Sequence, residues 1–405
     1  MTTTRVCVTG MGAVCCLGVG VDALWEGLRR GACGLGPLTR FALGGVPYGL
    51  AGQVEGFDTE ADESRGLSRG ARFALRACRE ALAGFPQECR RRLAVVTGSN
   101  FGPQEAIVSL LAGGEAPWPA ASGPFGAEAA ALAGRLDAGG LVASLSLSCA
   151  SGNAAIAHLL ELIRYGRAEA GLACGYDSLD RFSWAGLSAL RVMAAPRGGR
   201  PAGVRPFDRA RNGTAFSEGA GCLLLETEEH ARERGAAILA VVAGAGVNNN
   251  ACHLTHSDEE GSGLAHAMQM ALDDAGLEPS DVDHVNAHGT ATKLNDVAEA
   301  RALAAVFDDA LAGIPVTSIK GSIGHAMGAA GSLEAIACVR TLTRGIIPPT
   351  VGLETRDPDC AVDVVQGAVR RADVSAVLNN AAGIGGANAA VVFRRADGHR
   401  NGEGK

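Results

Sequence analysis

Short apolar runs alternate along the chain with longer stretches whose apolar residues recur every three or four positions. Residues 6–9, 93–97, 142–148, 238–242, 282–287 and 314–319 predict β-strands, and 64–82, 152–165, 263–275 and 296–307 predict helices. Within 263–275 the apolar set Leu264, Ala267, Met268, Ala271, Leu272 and Ala275 lies on one helical face. Gly276 follows as a ready terminator. This alternation predicts an α/β fold with mostly buried sheets. A charged stretch over 226–234 divides the chain into 1–235 and 236–395, and each part opens with a short apolar strand running into glycine. No exact repeat links the two parts. The polar tail 396–405 is expected to fray.

Composition narrows the function classes. With 47% hydrophobic and 20% charged residues over 405 positions, the chain can bury a large core in two or three lobes. A formal net charge of −7 argues against a protein-wide nucleic-acid surface. No run of eighteen apolar residues predicts a membrane span, and Met1-Thr-Thr-Thr-Arg5 leads into no apolar leader segment. The 12 cysteines are scattered, without paired zinc spacing, and read as reduced, mostly buried thiols of a cytoplasmic protein.

Candidate chemistry centres on Cys149. Residues 141–148 alternate in the manner of a strand, and Ala154, Ala157, His158, Leu160 and Ile163 then follow a helical period, ending at Gly166. The thiol thus falls at a strand-to-helix elbow. Unpaired N–H groups and the positive end of the helix dipole are expected there to favour thiolate and to bind an oxyanion. A thiol nucleophile needs proton-handling partners. His288, at the end of a strand, and His325, between a strand and a small-residue helix, are the candidates. His158 and His266 are expected to pack within helices, and His399 lies in the tail. Gly10-Met-Gly12 lacks the third glycine of a dinucleotide fingerprint, because Cys15 stands there.

The blocks Ser148-Cys-Ala-Ser-Gly152, Asn286-Ala-His-Gly-Thr-Ala-Thr292, Lys320-Gly-Ser-Ile-Gly-His325 and Gly383-Ile-Gly-Gly-Ala-Asn388 are similar, in kind and order, to those of the β-ketoacyl-acyl-carrier-protein synthases of the type II elongating subtype. Arg205-Pro-Phe-Asp208, Glu218-Gly-Ala-Gly221 and Val8-Thr-Gly-Met-Gly12 extend the resemblance over roughly residues 3 to 395. It implies the thiolase fold, two similar halves in a five-layer αβαβα arrangement. The first half carries the nucleophile and the second both histidines. It also implies a homodimer, or a heterodimer with a related ketosynthase-like subunit. The expected partner is acyl carrier protein, whose phosphopantetheine carries the substrates, with no other cofactor, no metal, no nucleic acid and no membrane.

Carried over by position, the resemblance implies that Cys149 accepts the acyl group. His288 and His325 drive malonyl decarboxylation and hold the enolate, in a division of roles left open. Lys320 acts electrostatically beside Glu334, and the N–H groups of Cys149 and Ile384 form the oxyanion hole. Thr290 and Thr292 hold the pantetheine arm, and Asp296 and Glu299 support the site.

Three positions depart from the family pattern: Ile384, Ala382 and Thr214 stand where aromatic residues are usual. The expected activity is therefore decarboxylative Claisen condensation of an acyl group with malonyl-carrier protein, on an atypical chain of the polyketide or specialised-metabolite kind. Ordinary fatty-acid elongation and a partner-dependent subunit of a ketosynthase/chain-length-factor pair remain alternatives. A coenzyme-A-dependent thiolase fits less well, since 381–388 holds no second cysteine. A non-condensing partner subunit is opposed by Cys149 itself.

Overall fold

The computed structural model describes residues 4–42, 44–46, 48–57, 66–104, 107–108, 125–254 and 258–396. All of the tail expected to fray, save Ala396, lies outside the described residues, as do the first two residues of the helix expected at 64–82.

Ten strands carry the architecture: β1 (Val6–Cys15), β2 (Ala94–Gly98), β3 (Val142–Leu145), β4 (Ala170–Asp177), β5 (Gly219–Thr227), β6 (Ala240–Asn249), β7 (His284–Asn286), β8 (Pro315–Thr317), β9 (Ala376–Ala382) and β10 (Ala387–Arg395). The first five pair in the order β3-β2-β4-β5-β1, and the second five in the order β8-β7-β9-β10-β6. In each set the first three are parallel and the last two join antiparallel. Both halves therefore follow one topology, third-second-fourth-fifth-first. They meet where Val6, Cys7 and Val8 of β1 pair with Val242, Val241 and Ala240 of β6.

Helices complete the layers. On the outer face of the first half, α1 (Arg69–Ala81) and α2 (Ala127–Arg135) bury Phe73, Cys78 and Leu132 against Leu172, Cys174 and Leu224. Between the halves, α3 (Ser151–Arg164) and α6 (Ala330–Arg344) share one core, in which Ile156, Leu160, Leu333 and Ile336 meet Val96, Leu223, Val377 and Phe393. On the far side, α4 (Ser262–Ala275) and α5 (Lys293–Phe307) cover the second half. The result is the expected αβαβα sandwich of the thiolase fold. No described helix is long and apolar enough to cross a membrane.

Several boundaries differ from expectation for identifiable reasons. The strand expected at 6–9 runs on to Cys15, with a bulge between Val8 and Gly10, because β5 pairs with it as far as Val14 and Cys15 then pairs with Gly18. Gly10 and Gly12 serve helix packing: a Cβ at Gly12 would lie 1.9 Å from the carbonyl oxygen of Ala77, and one at Gly10 2.0 Å from that of Ala81. Helix α1 starts at Arg69 because the Oγ of Ser68 accepts the Ala71 N–H at 3.0 Å. Helix α5 begins three residues before the expected position 296, and the strand expected at 238–242 runs to Asn249 against β10. Gly276 ends α4 in the left-handed conformation, as its position predicts. His266 is on that helix's exposed face rather than packed, and His158 is half-buried.

Candidate functional site

The strand expected over 142–148 ends at Leu145, and the chain then turns sharply into α3. Ser148 takes a positive φ of 53°, a costly conformation for a residue with a side chain. Ser151 braces the turn: its Oγ accepts the Leu147 N–H at 2.8 Å and donates to the Ser148 carbonyl at 2.6 Å. Cys149 rides on this elbow, 6% exposed. Gly383 presses against it from the second half, where a Cβ would lie 2.9 Å from that of Ser148 and 3.2 Å from the Cys149 nitrogen. Only a residue without Cβ lets the loop after β9 come this close.

The expectation of a ready thiolate needs correction. Burial pushes the Cys149 thiol up to about 11, outweighing Lys320 and the Ile384 N–H hydrogen bond, while the charge of Asp177 adds to the rise. Desolvation wins over these favourable contacts, and the resting group is a thiol.

His288 follows β7. Its N–H donates to Glu299 at 2.7 Å, as does that of Gly289, and the Asn380 amide donates to the same carboxylate at 2.7 Å. His325 is gripped by its own backbone: its N–H donates to the Ala215 carbonyl at 2.7 Å, and its carbonyl accepts the Ser217 N–H at 2.9 Å. Phe216 stacks on its ring with centroids 5.7 Å apart. The two imidazoles meet edge to face, 5.2 Å apart. Lys320 lies buried behind them, donating to Glu334 and, at 3.4 Å, to Nδ1 of His288. The Met327 N–H donates to Nδ1 of His325 at 3.3 Å.

With each Nδ1 accepting, the proton of each neutral ring sits on Nε2. Burial, Lys320 and, for His288, the neighbouring His325 hold both rings well below the ordinary histidine pKa. They are neutral donors at physiological pH. Burial also raises Glu334, against the pull of Lys320.

Cys149, His288 and His325 line one cavity of about 500 Å³ together with Thr290, Thr292, Thr214, Ala382 and Ile384. The Thr290 and Thr292 hydroxyls lie 2.9 Å apart. Asp296 stays off the cavity wall, accepting the Phe207 N–H at 2.8 Å and the Ala291 N–H at 3.1 Å. Glu299 is likewise behind the wall, and burial raises it to about 7 against the N–H bonds it accepts.

Three contributors carried no sequence signal strong enough to single them out. Phe216 sits two residues from Thr214 and caps His325. Asn380 ties β9 to Glu299. Asp177, at the end of β4, gathers the N–H groups of Asn100, Phe101 and Gly328 at 2.9, 3.1 and 2.6 Å. A cluster of buried thiols with metal-ligand spacing, Cys78, Cys174 and Cys222, occurs among the described residues but lies between α1 and the first-half sheet, not on the cavity.

The β-ketoacyl synthase N-terminal domain model matches residues 3–231, and the C-terminal domain model matches 239–354. Nodulation protein E of Rhizobium meliloti (strain 1021) is 35% identical over 405 residues, covering 96% of this chain and 99% of that protein. The 3-oxoacyl-[acyl-carrier-protein] synthase 2 of Staphylococcus aureus (strain COL) is 33% identical over 411 residues, covering 96% and 98%. The solved ishigamide ketosynthase/chain length factor superimposes with a TM-score of 0.89 at 33% identity, over 98% of this chain and 100% of that one. The chain belongs to the β-ketoacyl synthase family of condensing acyltransferases.

Proposed function

We propose that this chain joins an acyl group to malonyl-acyl carrier protein by decarboxylative Claisen condensation, with Cys149, His288 and His325 as its catalytic residues. The observation that carries the reading is the pair of neutral imidazoles with both Nδ1 atoms occupied, which leaves their Nε2–H groups to donate to substrate, on the same cavity as the elbow thiol. In the loading step the Cys149 sulfur bonds to the acyl carbon, the carrier thioester breaks, and the thiol proton ends on the departing pantetheine sulfur. In the second step the malonyl C–C bond to the carboxylate breaks, carbon dioxide leaves, and the two Nε2–H groups hold the enolate oxygen. The enolate carbon then attacks the Cys149 thioester. The N–H groups of Cys149 and Ile384 are assigned the tetrahedral oxyanion, and the released cysteine sulfur recovers a proton.

Lys320, fixed by Glu334, keeps His288 neutral and oriented. Thr290 and Thr292 are assigned the pantetheine arm, the only prosthetic group the reading calls for. Asp296 and Glu299 position the turns around His288. The division at 235/236 is supported by the gap between the two family models and by the repeated strand order. The free state of all the cysteines supports a reducing, cytoplasmic setting. The partner is a carrier protein and either a second copy or a related subunit. The ketosynthase/chain length factor likeness favours testing the heterodimer.

Ile384, Ala382 and Thr214 on the cavity wall support an acyl group bulkier or more rigid than a saturated fatty chain. The test is intact-mass analysis of acyl loading alongside carbon dioxide release from malonyl-carrier protein. Cys149→Ala must abolish loading. His288→Ala and His325→Ala should slow condensation by roughly a hundredfold or more while at least one still loads. Normal condensation in both histidine variants refutes the mechanism.

A further inference from the structure

Thr214 stands out on the cavity wall: it is 2% exposed, and its hydroxyl has no hydrogen-bond partner among the described residues. Asn212 on the same wall also leaves its Oδ1 unpartnered, but its amide is tied to the Ala195 carbonyl at 2.7 Å. The backbone of Thr214 is fully engaged, with the N–H donating to the Val192 carbonyl at 2.9 Å and the carbonyl accepting the Ala194 N–H at 2.7 Å. The residue therefore has one spare group, the Oγ1–H. An unpaired buried hydroxyl is unfavourable in the resting protein, and an alanine or valine would avoid that cost.

The local geometry says where this hydroxyl acts. Residues 213–217 run extended between Val192–Ala194 on one side and His325 on the other. Side chains alternate along such a segment, so Thr214 and Phe216 share a face, and both line the cavity whereas Ala215 does not. Phe216 is the ring stacked on His325. Thr214 is thus one strand repeat from the cover of His325, close to the atoms that react rather than at the far end of the acyl chain. Rotation about χ1 exchanges its methyl and hydroxyl against the cavity.

We propose that Thr214 is a specificity-determining residue whose hydroxyl binds an oxygen on the β-carbon of a pantetheine thioester. This rests on the ketosynthase reading above and deepens it. Two substrate groups present that chemistry: the keto or hydroxyl oxygen of an incompletely reduced acyl chain, and the carboxylate of the malonyl unit. An apolar aromatic at this position could serve neither. A site built to satisfy a substrate oxygen rejects the analogue that lacks it, because the buried hydroxyl is then left unpaired again.

The test uses the full-length protein with Thr214→Val, which keeps the shape and deletes the hydroxyl, and Thr214→Ser, which keeps the hydroxyl. In the first arm, loading of Cys149 is timed with a 3-oxo or 3-hydroxy acyl-carrier thioester and with a saturated one of equal length, and the two rates are read as a ratio. In the second arm, carbon dioxide release from malonyl-carrier protein is timed in the Cys149→Gln background, so that no loading intervenes. Thr214→Val should lower the ratio, or the decarboxylation rate, by roughly three- to tenfold, with Thr214→Ser near wild type. A fall in the ratio alone assigns the acyl chain, and a fall in decarboxylation alone assigns malonyl. An unchanged ratio with unchanged decarboxylation overturns the proposal. So does an equal loss of loading for both chains without loss of decarboxylation, which places the hydroxyl on the shared pantetheine arm. Protein that, with or without a related subunit, neither loads a thioester in the Cys149 form nor releases carbon dioxide from malonyl-carrier protein refutes the ketosynthase reading itself, and this inference with it.

Discussion

At the scale of single residues, the balance between burial and charge decides the chemistry. Cys149 sits where Lys320 and the Ile384 N–H both favour thiolate, yet desolvation prevails and its pKa rises to about 11. A thiol whose folded pKa is raised contributes stability that is fully present below the ordinary thiol value and is lost as pH climbs towards 11. Alkylation by iodoacetamide needs thiolate, so inactivation should quicken about tenfold per pH unit from roughly 7 to 10. Rates that level off by about pH 8 would contradict this assignment. Lys320 and Glu334 are each 1% exposed at the side chain, and Oε2 of Glu334 has no partner among the described residues. Removing one of them strands a buried charge. Lys320→Met or Glu334→Leu alone should destabilise by about 3–5 kcal/mol in urea unfolding, and the double variant by clearly less than their sum.

The position of the elbow, and of His288 at a strand end, can be read from the switch between two-residue and helical periods. The thiol's protonation cannot. It depends on how deeply Gly383 and Asp177, both on other elements and distant along the chain, enclose the sulfur and charge its surroundings.

At the scale of elements, close contacts between backbone segments replace the side-chain interlock that large residues would supply. Helix α1 lies so near β1 that Gly12 meets the Ala77 carbonyl, and this contact explains a glycine pair that a motif search would assign to a cofactor. Gly12→Ala should therefore destabilise by about 1–3 kcal/mol, or more if the backbone cannot yield. Gly186 is the control. It lies on the exposed side of the helix Arg181–Ala189, and an added methyl there would meet nothing within 4 Å among the described residues. Its change to alanine should be neutral or mildly stabilising in the same thermal melt. Helices with a regular period, such as α4, are legible almost to the residue. The ends of β1, β6 and α5 are not. Partner strands set the first two and the turn through Ala291, at a φ of 64°, sets the third, and hydrophobic spacing records neither.

At the scale of the whole molecule, the duplication is a property of strand order. No segment of 1–235 matches one of 236–395 by letter, but the same third-second-fourth-fifth-first pairing appears twice. Pairing order involves residues far apart in the chain, and no local pattern encodes it. The halves are also joined by more than their shared edge. The amide of Asn153 on α3 donates to the carbonyls of Asn379 and Ala389 at 3.1 and 3.2 Å, and that of Asn379 donates back to Asn153 at 2.9 Å. Helices α3 and α6 belong to one hydrophobic core. Neither half can open without exposing that layer, so calorimetry should give one cooperative unfolding transition. Two resolved transitions would mean that the halves are separable domains.

The depth at which Cys149 is held also bears on how long the enzyme lasts. Peroxide attacks thiolates, and a cysteine that is protonated and enclosed at rest offers it almost no target. Cys33 and Cys252 are the exposed thiols of the chain and stand outside the cavity. Peroxide should therefore oxidise Cys33 and Cys252 before Cys149, an order that peptide mapping after brief exposure checks. The same desolvation that raises the Cys149 thiol thus shields it from oxidant.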